Sequence, residues 1–497
     1  MNPIITRRDM LSLTAKAAVA GALLPNLSFA REERSSTLSG AVVGEPVAAK
    51  IGERFLADGA NAIDAAIATA FASSITSPGK CGVGGYGGHA IIALANGRVT
   101  AIDFNSSAPA AARDDMFPLD DKGNVKGKIN VQGWLAAGVP GVLAGMDLIL
   151  KRYGTRPLSD VLAPAIELCE GGVRVTKESA REAALDASKN DASPDSIQKG
   201  SATNQQNLPL AKMLRTLAGR NSTESFYRGD IARTIADAFQ KNGGLITFDD
   251  LAAYHAREVK PLTLEWNGMT IHTPPLTAAG VSFLEAIAIL KKLDWEKLSA
   301  MERLHAKVDA LRIAWMDRNA YFGDPEHVKV PLNRIFSSRQ LKQRSKEIGA
   351  AIKNQKATSI DVTESTDDGT MNISAVDGSG NMIALTFTHG STYGARVSVE
   401  EFGMVLGHGM WRFETKPGHP NSPGPRKKAV NNMCPAAITR GGKPVMAVGG
   451  AGGTRIPCSI YEVLLNYVGL DASLETAINA PRINTTGTLE RVWKIIL

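Results

Sequence analysis

The chain has 497 residues, of which 44% are hydrophobic and 21% charged, a balance typical of a globular protein with a large interior. Its formal net charge is +7, too small a surplus over this length to favour a nucleic-acid-binding protein. The four cysteines and eight histidines lack metal-ligand spacing, and the cysteines are too few for a disulfide scaffold. We therefore expect no metal and no other cofactor.

The first 30 residues have the pattern of an export signal. It consists of twin arginines, an apolar stretch with one lysine, and a small-x-small end: Arg7, Arg8, residues 11–27, Lys16, and Ser28-Phe29-Ala30. The stretch is too short and interrupted for a membrane-spanning helix, so we expect no stable membrane anchor. We predict twin-arginine export to the periplasm, with the mature chain beginning near residue 31. The alternative is a mobile basic terminus.

Residues 47–73 carry Ala and Ile at helical spacing, with Asn61 and Asp64 near the start of the apolar run, and predict a buried helix. The glycine cluster at 82–88 follows. It lacks the Lys-Ser/Thr ending of a nucleotide-binding loop, so these glycines indicate close backbone approach instead. The periodicity predicts two long helices further on, at 279–293 and 299–321.

Two alternating runs, 370–376 and 382–388, flank an Asp/Gly/Asn turn and predict a β-hairpin. A plain surface hairpin is one interpretation. The other is that Thr370 is a latent N-terminal nucleophile, because cutting the bond after Gly369 would leave a free α-amine on the residue that carries the hydroxyl. That amine can then act as the base. A glycine before the bond also permits the backbone shapes that a self-cleaving turn needs.

Glycine- and proline-rich motifs occur on both sides of this hairpin. Those before it are GANAIDAA at 59–66, GVGGYGG at 82–88, APA at 108–110, GVPG at 138–141, LAPAI at 162–166, FYRG at 226–229 and GGL at 243–245. Those after it are PGHPN at 417–421, PGPRK at 423–427, NMCP at 432–435, GKPV at 442–445 and GGAGGTR at 449–455. Their order and spacing resemble the gamma-glutamyltransferase family of N-terminal-nucleophile hydrolases, as a divergent member.

The resemblance implies an α+β fold, a four-layer αββα sandwich formed jointly by two processed subunits. It implies a zymogen that cuts itself between Gly369 and Thr370 and stays together as a heterodimer. The expected segments are the signal peptide at 1–30, a large subunit at 31–369 and a small subunit at 370–497. Residues 338–369 are charged and polar, as the tail of a large subunit would be.

The resemblance also assigns catalytic parts. Thr370 aligns with the nucleophile of the family, and Thr388 with the threonine that hydrogen-bonds to the nucleophile's amine. Gly452 and Gly453 match the pair whose backbone N–H groups form the oxyanion hole, where fixed donors meet the developing negative charge. The alternative for Thr388 and the glycines is a plain strand and a tight turn.

The expected substrate-binding positions depart from the family pattern. Asn105 stands where the family has the arginine that holds the γ-glutamyl α-carboxylate, and Gly390 where it has an asparagine. Arg412 aligns with the acidic residue for the α-amine, and Asn431 and Asn432 with paired serines. A substrate ammonium would be repelled by Arg412, and loss of the carboxylate-binding arginine should weaken γ-glutamyl binding further.

These features predict a self-processing N-terminal-threonine amidohydrolase or acyltransferase. Its substrate would be a small amide with an anionic acyl group that is not γ-glutamyl, such as a dicarboxylic or oxo-acid monoamide. One alternative is a gamma-glutamyltransferase or glutathione hydrolase, and another is a non-catalytic exported binding protein. Arg412 could instead lie in a surface salt bridge. The sequence leaves open the natural substrate and the choice between hydrolysis and transfer.

Overall fold

The structure is a computed structural model that describes residues 39–174, 204–354 and 369–485. Its strands are β1 (Gly40–Val43), β2 (Gly87–Ala93), β3 (Val99–Asp103), β4 (Val173–Arg174), β5 (Asn204–Gln205), β6 (Arg257–Val259), β7 (Leu262–Trp266), β8 (Met269–Thr273), β9 (Gly369–Asp377), β10 (Met382–Gly390), β11 (Ser398–Val399), β12 (Met404–Val405), β13 (Ala436–Arg440) and β14 (Lys443–Val448). The predicted export signal lies outside the described residues.

The α-helices among the described residues are α1 (Pro46–Ala57), α2 (Ala62–Thr76), α3 (Val142–Tyr153), α4 (Leu158–Gly171), α5 (Leu208–Arg220), α6 (Glu224–Arg228), α7 (Asp230–Lys241), α8 (Phe248–Ala253), α9 (Gly280–Leu293), α10 (Ala300–Tyr321), α11 (Leu332–Ile335), α12 (Ser338–Lys353), α13 (Arg455–Leu464) and α14 (Leu474–Asn479). The two long helices predicted at 279–293 and 299–321 are confirmed as α9 and α10. The predicted polar tail begins as the helix α12, and its residues 355–368 lie outside the described part of the chain.

The predicted hairpin is confirmed as β9 and β10, which lie at the centre of a six-stranded antiparallel sheet with the order β1-β9-β10-β2-β3-β6. Its turn is held by Asp377, whose Oδ1 accepts the backbone N–H groups of Ser379 and Asn381, both at 3.0 Å. The other carboxylate oxygen accepts the N–H of Ala62 at 3.1 Å, which ties the hairpin to the start of α2. Thr370 lies opposite Thr388 in this register.

A second, four-stranded sheet has the order β14-β13-β8-β7. The two sheets contact each other through small apolar side chains of both: Ile91, Ala93, Ala101, Ala384 and Ala437. Helices α1 to α5 and α7 pack against the first sheet in one large core, and α9, α10, α12 and α13 pack against the second. The chain therefore has an α+β fold with helices and antiparallel sheets.

Alternation along β9 and β10 decides which side chains face the second sheet. Met371, Ile373 and Ala375 belong to the helix-covered core, as the pattern predicts, because successive strand residues point to opposite faces. Thr370 and Thr388, at the other parity, lie on the face turned towards the second sheet. Both hydroxyls are thus placed between the sheets, beside the loop that follows β14.

The single helix predicted for residues 47–73 is wrong in extent, because the chain forms α1 and α2 with a break between them. Gly59 has φ +79° there, a conformation that ends helices readily. Asn61 then caps α2: its side chain accepts the N–H groups of Ile63 and Asp64, and the Asp64 carboxylate accepts the N–H of Asn61 at 3.2 Å. This reciprocal capping begins a new helix.

None of the helices that the structure describes is long and apolar enough to cross a membrane. All four cysteines lie in described, buried positions and are unpaired.

Candidate active site

The hydroxyl of Thr370 lies at the end of a short chain of hydrogen bonds. Thr370 is 4% exposed, and its Oγ1 donates to Oγ1 of Thr388 over 3.3 Å. The hydroxyl of Thr388 in turn donates to the carbonyl oxygen of Gly369. The N–H of Gly390 donates to Thr388 Oγ1 at 2.6 Å, so this one hydroxyl is fixed by three neighbours.

This arrangement surrounds the peptide bond between Gly369 and Thr370. A donor on the carbonyl oxygen favours negative charge there, and the Thr370 hydroxyl is one residue from the carbonyl carbon. A side chain at position 369 would not fit, because a Cβ atom would lie 2.5 Å from the carbonyl carbon of Ser391. The site thus holds the Gly369 carbonyl, with a hydroxyl donor on its oxygen, next to the residue that carries the Thr370 hydroxyl.

A β-bulge shapes this corner of the sheet. Gly390 pairs with Gly369 although Thr388 pairs with Thr370, so His389 is the extra residue on β10. Bulges of this kind bend a strand and redirect its side chains. The bulge is what brings the N–H of Gly390 back onto the hydroxyl of Thr388.

The glycine cluster lies directly beside the bulge, and the predicted close approach is confirmed. Gly87 pairs with Thr388 across β2 and β10. A Cβ atom at Gly85 would lie 2.8 Å from the carbonyl oxygen of Thr388, and one at Gly87 would overlap with the carbonyl oxygen of Phe104. Larger residues would push this segment away from the threonine pair.

The loop before α13 contains Gly452 and Gly453, with φ +121° and +61°. It contacts β9, because a Cβ atom at Gly449 would overlap with the side-chain oxygen of Asn372. Arg455 holds the loop through a hydrogen bond of 3.2 Å from its Nε to the Gly452 carbonyl. Backbone N–H groups at the positive end of a helix can stabilise an oxyanion, and this role of Gly452 and Gly453 stays a prediction.

Two guanidinium groups are connected by hydrogen bonds to β2 and the residue before it, beside β10. Arg412, in the single helical turn Gly409–Arg412, hydrogen-bonds to the Tyr86 side chain, and Tyr86 immediately precedes the partner of Thr388. Arg318 of α10 is 8% exposed, and its Nη1 has no hydrogen-bond partner among the described residues. Burial first, and then the charge of Arg412, lower the pKa of Arg318 to about 10. The two guanidinium groups are therefore close enough for their charges to oppose each other.

Asn431 and Asn432 lie against Arg318. Its Nη2 donates to the carbonyl oxygen of Asn431 and to the side-chain oxygen of Asn432, both at 3.0 Å. The side-chain oxygen of Asn431 accepts the N–H of Met433 at 2.9 Å, and its Nδ2 lies 2.9 Å from Nε2 of His89. The structure thus brings the predicted asparagine pair together with an arginine that the sequence did not single out.

Asn105 is turned inward. Its Nδ2 donates to Thr277 Oγ1 at 2.7 Å and to the carbonyl oxygen of Ala429 at 2.8 Å. Both amide hydrogens are therefore used in hydrogen bonds within the protein. Gly390 has no side chain, and the ring of His408 fills the space beside it. At the other predicted substrate positions, Arg412 and Asn432 carry charged or polar side chains that hydrogen-bond to Tyr86 and Arg318.

A buried carboxylate, Asp103, links segments of the chain that carry predicted substrate residues. Its Oδ2 accepts Nζ of Lys428 at 2.8 Å and Nη2 of Arg257 at 2.9 Å. Its Oδ1 accepts the N–H of Asn105 at 3.0 Å and lies 3.7 Å from Nδ1 of His89. Burial alone would raise the pKa of Asp103, but Lys428, above all the other neighbours, holds it below its ordinary value. One carboxylate therefore anchors the segment that contains Asn105 and, through Lys428, the segment that leads to Asn431 and Asn432.

Sequence reasoning missed several residues of this site: Tyr86, His89, Asp103, Arg318 and His408. Tyr86 interrupts the glycine cluster, and that interruption was an available signal. No sequence signal distinguished Arg318 from the other charges of α10, because its burial follows from tertiary packing alone.

A gamma-glutamyltranspeptidase family model matches residues 48–493. The chain is 33% identical to the glutathione hydrolase proenzyme of Escherichia coli (strain K12) over 88% of this chain and 80% of the relative. It is 32% identical to the acylase ACY 1 proenzyme of Pseudomonas sp. (strain SE83) over 90% and 82%. Among solved structures, the cephalosporin acylase from Bacillus halodurans superposes with a TM-score of 0.79 at 27% identity, covering 93% of this chain and 86% of that one.

Both the family model and these relatives span most of the chain. The protein belongs to the gamma-glutamyltranspeptidase family, whose members here include glutathione hydrolases and acylases made as proenzymes. It is an N-terminal-nucleophile type enzyme of that family and a divergent member of it.

Proposed function

We propose that the chain is a self-processing N-terminal-threonine amidohydrolase or acyltransferase that acts on small amides with an anionic acyl group other than γ-glutamyl. The observation that carries the proposal is the hydrogen-bond chain from Thr370 through Thr388 to the carbonyl oxygen of Gly369. The acylase and glutathione hydrolase proenzymes among the relatives support the same reaction class.

Processing would begin with attack of Thr370 Oγ1 on the carbonyl carbon of Gly369. The C–N bond breaks, the hydroxyl proton goes to the departing amine, and an ester joins Gly369 to Thr370 Oγ1. Water then cleaves this ester, which leaves a carboxylate on Gly369 and restores the hydroxyl of Thr370. The new α-amine of Thr370 is the base that the reaction on substrates requires.

On a substrate, the Thr370 hydroxyl would attack the amide carbonyl while its amine takes the proton and passes it to the leaving amine. The N–H groups of Gly452 and Gly453 would hold the oxyanion. Water, or an acceptor amine, then releases the acyl group from Thr370. Self-cleavage and substrate turnover use the same Thr370 hydroxyl, so loss of Thr370 should abolish both.

The anionic acyl group is inferred from Arg412 and Arg318. An arginine binds a carboxylate through paired, charge-assisted hydrogen bonds, while two neighbouring guanidinium groups repel an ammonium. A γ-glutamyl group carries both a carboxylate and an ammonium, whereas a dicarboxylic or oxo-acid monoamide carries the anion alone. The site therefore favours the second class of substrate.

The packing of helices against two facing sheets supports a four-layer αββα sandwich built jointly by residues 31–369 and 370–497. We further propose that residues 1–30 direct twin-arginine export to the periplasm. Fractionation of cells that produce the wild type and the Arg7→Lys/Arg8→Lys variant tests the export. The proposal expects periplasmic wild type and retained variant, and equal distribution of both would contradict it.

Intact-mass and denaturing-gel comparison of the wild type with Thr370→Ala tests the proposed function. We expect two wild-type fragments that meet between Gly369 and Thr370, and one uncut chain in the variant. The cut enzyme should then hydrolyse succinamate faster than the neutral amide butanamide. An uncut wild type would favour the non-catalytic binding protein.

The names of several relatives favour a second candidate, a gamma-glutamyltransferase or glutathione hydrolase. Assay with γ-glutamyl-p-nitroanilide separates the two. Release of p-nitroaniline more efficient than hydrolysis of anionic monoamides would establish this second candidate and would contradict an acyl group that carries an anion alone.

A further inference from the structure

The imidazole of His408 occupies the space that a side chain at position 390 would need. His408 is 0% exposed, and a Cβ atom on Gly390 would overlap with its Cδ2 and Nε2. Gly390 also has φ +102°, a conformation that residues with a Cβ rarely adopt. The glycine and the histidine thus form a matched pair at the bulge.

His408 also holds the chain on both sides of Gly390. Its backbone N–H donates to the carbonyl oxygen of His389 at 3.0 Å, and its Nε2 accepts the N–H of Ser391 at 2.8 Å. Nδ1 lies 3.0 Å from the carbonyl oxygen of Val131. Because a carbonyl oxygen only accepts, this contact assigns the ring proton to Nδ1 and leaves Nε2 as the acceptor.

The ring stays neutral in this position. Burial, as the largest cause, lowers the pKa of His408 to about 3, and only the neutral ring can accept the N–H of Ser391. The ring is further fixed by Trp411, whose ring centroid lies 4.5 Å away. Hydrogen bonds and packing therefore define a single orientation of the imidazole.

The segment that His408 holds is the one that shapes the bond to be cut. The N–H of Gly390 donates to Thr388 Oγ1 at 2.6 Å, and Thr388 donates to the Gly369 carbonyl. Ser391 packs directly against Gly369, where a Cβ atom would lie 2.5 Å from its carbonyl carbon. A shift of residues 389–391 would move both the donor and the carbonyl.

We propose that His408 is a positioning residue for self-cleavage, which keeps the bulge at 389–391 in the shape that aligns Thr388 with the Gly369 carbonyl. His408 does not touch the reacting atoms and acts through Ser391 and His389. The inference rests on the proposed function, because it requires that the bond between Gly369 and Thr370 is cut.

Cleavage kinetics of the full chain during cell-free synthesis test this role, with gel and intact-mass readout. His408→Phe keeps a ring but loses both ring nitrogens, so we expect cleavage to slow by about tenfold to a hundredfold, the cost of small misplacements. His408→Gln can supply an acceptor for Ser391 and should cut faster than His408→Phe. His272→Phe removes a half-buried histidine that hydrogen-bonds to Thr439 in the second sheet and should cut at the wild-type rate.

Melting temperatures of the same variants in the uncut Thr370→Ala background separate positioning from stability. The inference expects His408→Gln and His408→Phe to differ in cleavage rate more than in melting temperature. It is overturned if His408→Phe cuts at the wild-type rate, or if Gln and Phe slow cleavage equally. If the Phe variant does not fold, His408→Leu, which also lacks an acceptor for Ser391 but is smaller, replaces it in both comparisons with His408→Gln. An uncut wild type would overturn the proposed function itself.

Discussion

At the scale of single residues, the hydroxyl of Thr388 is the most constrained group in the site. It accepts hydrogen bonds from the Thr370 hydroxyl and the Gly390 N–H, and it donates its own proton to the Gly369 carbonyl. Two accepted bonds and one donated bond are the full capacity of a hydroxyl. Its single proton has two acceptors within reach, the Gly369 carbonyl oxygen and, at a longer 3.4 Å, the Gly390 carbonyl oxygen. The closer one is the oxygen that would become negative during the proposed cleavage.

Thr388→Val removes this donor while keeping the branched shape of the side chain. We expect self-cleavage to slow by about a hundredfold or more, as when one oxyanion donor is lost, whereas Thr388→Ser should retain most of the rate. The fraction of cut chain against time, read on a denaturing gel, measures both. Wild-type cleavage in Thr388→Val would show that the carbonyl is polarised by another group.

Arg412→Ala tests the choice of acyl group in the mature enzyme. Because a hydrogen bond to a charged group is lost, we expect kcat/KM for succinamate to fall by about tenfold to a hundredfold, with little change for butanamide. Arg113→Ala removes an exposed arginine that pairs with Asp115 and serves as the control. Equal losses on the charged and neutral amides would show that Arg412 only supports the structure through Tyr86.

The sequence could predict residues whose chemistry depends on neighbours in the chain. The Gly369-Thr370 pair at the start of an alternating run and the glycine cluster were visible in this way, and the structure confirms the hairpin and the close approach at 82–88. It could not predict Arg318 or His408. Arg318 lies on a helix more than a hundred residues from Asn431, and His408 acquires its role through a bulge that no local pattern encodes.

At the scale of elements, the sequence contains local signals for the boundary between α1 and α2, although the periodicity led to the prediction of a single helix. Apolar residues continue at helical spacing across the break, which favoured one helix. Gly59 and the pairing of Asn61 with Asp64 are a stop and a capping start, and the structure follows these. At this boundary the stop and capping residues, and not the apolar periodicity, determine where α1 ends and α2 begins.

A buried carboxyl group joins α9, α10 and α12. Glu285 is 1% exposed, and its pKa is well above the ordinary 4.5, first because of burial and then because of Asp317. Arg344, whose Nη2 lies 3.6 Å from an oxygen of Asp317, acts in the opposite direction on Glu285. The folded chain thus holds a proton on Glu285 that the unfolded chain would release above its ordinary pKa.

Glu285→Gln should make the stability of this helix packing less dependent on pH. The raised pKa stabilises the fold fully below 4.5, and this contribution is lost as pH rises through the folded-state value. We expect the wild-type melting temperature to fall with rising pH and that of Glu285→Gln to fall less. The exposed control Glu53→Gln should follow the wild type, and parallel curves for wild type and Glu285→Gln would contradict the prediction.

At the scale of the whole molecule, both sheets combine strands from the two sides of the bond before Thr370. In the first sheet, β9 and β10 lie between β1 and β2. In the second, β13 pairs with β8. Contacts between the parts before and after this bond include the ion pair of Lys428 with Asp103 and the hydrogen bonds of Arg318 to Asn431 and Asn432.

This interleaving predicts that the two fragments remain one particle after cleavage. Cutting this bond breaks none of the pairings of β1 with β9, β10 with β2 or β13 with β8, and separation would expose the cores on both sheets to water. On native size exclusion we expect both fragments in one peak, at the elution volume of uncut Thr370→Ala. In denaturant they should separate, since only noncovalent contacts and no disulfide among the described cysteines join them. Two peaks without denaturant would mean that the pairings between β1 and β9 and between β10 and β2 do not survive cleavage. The site would then be intact only in the uncut chain.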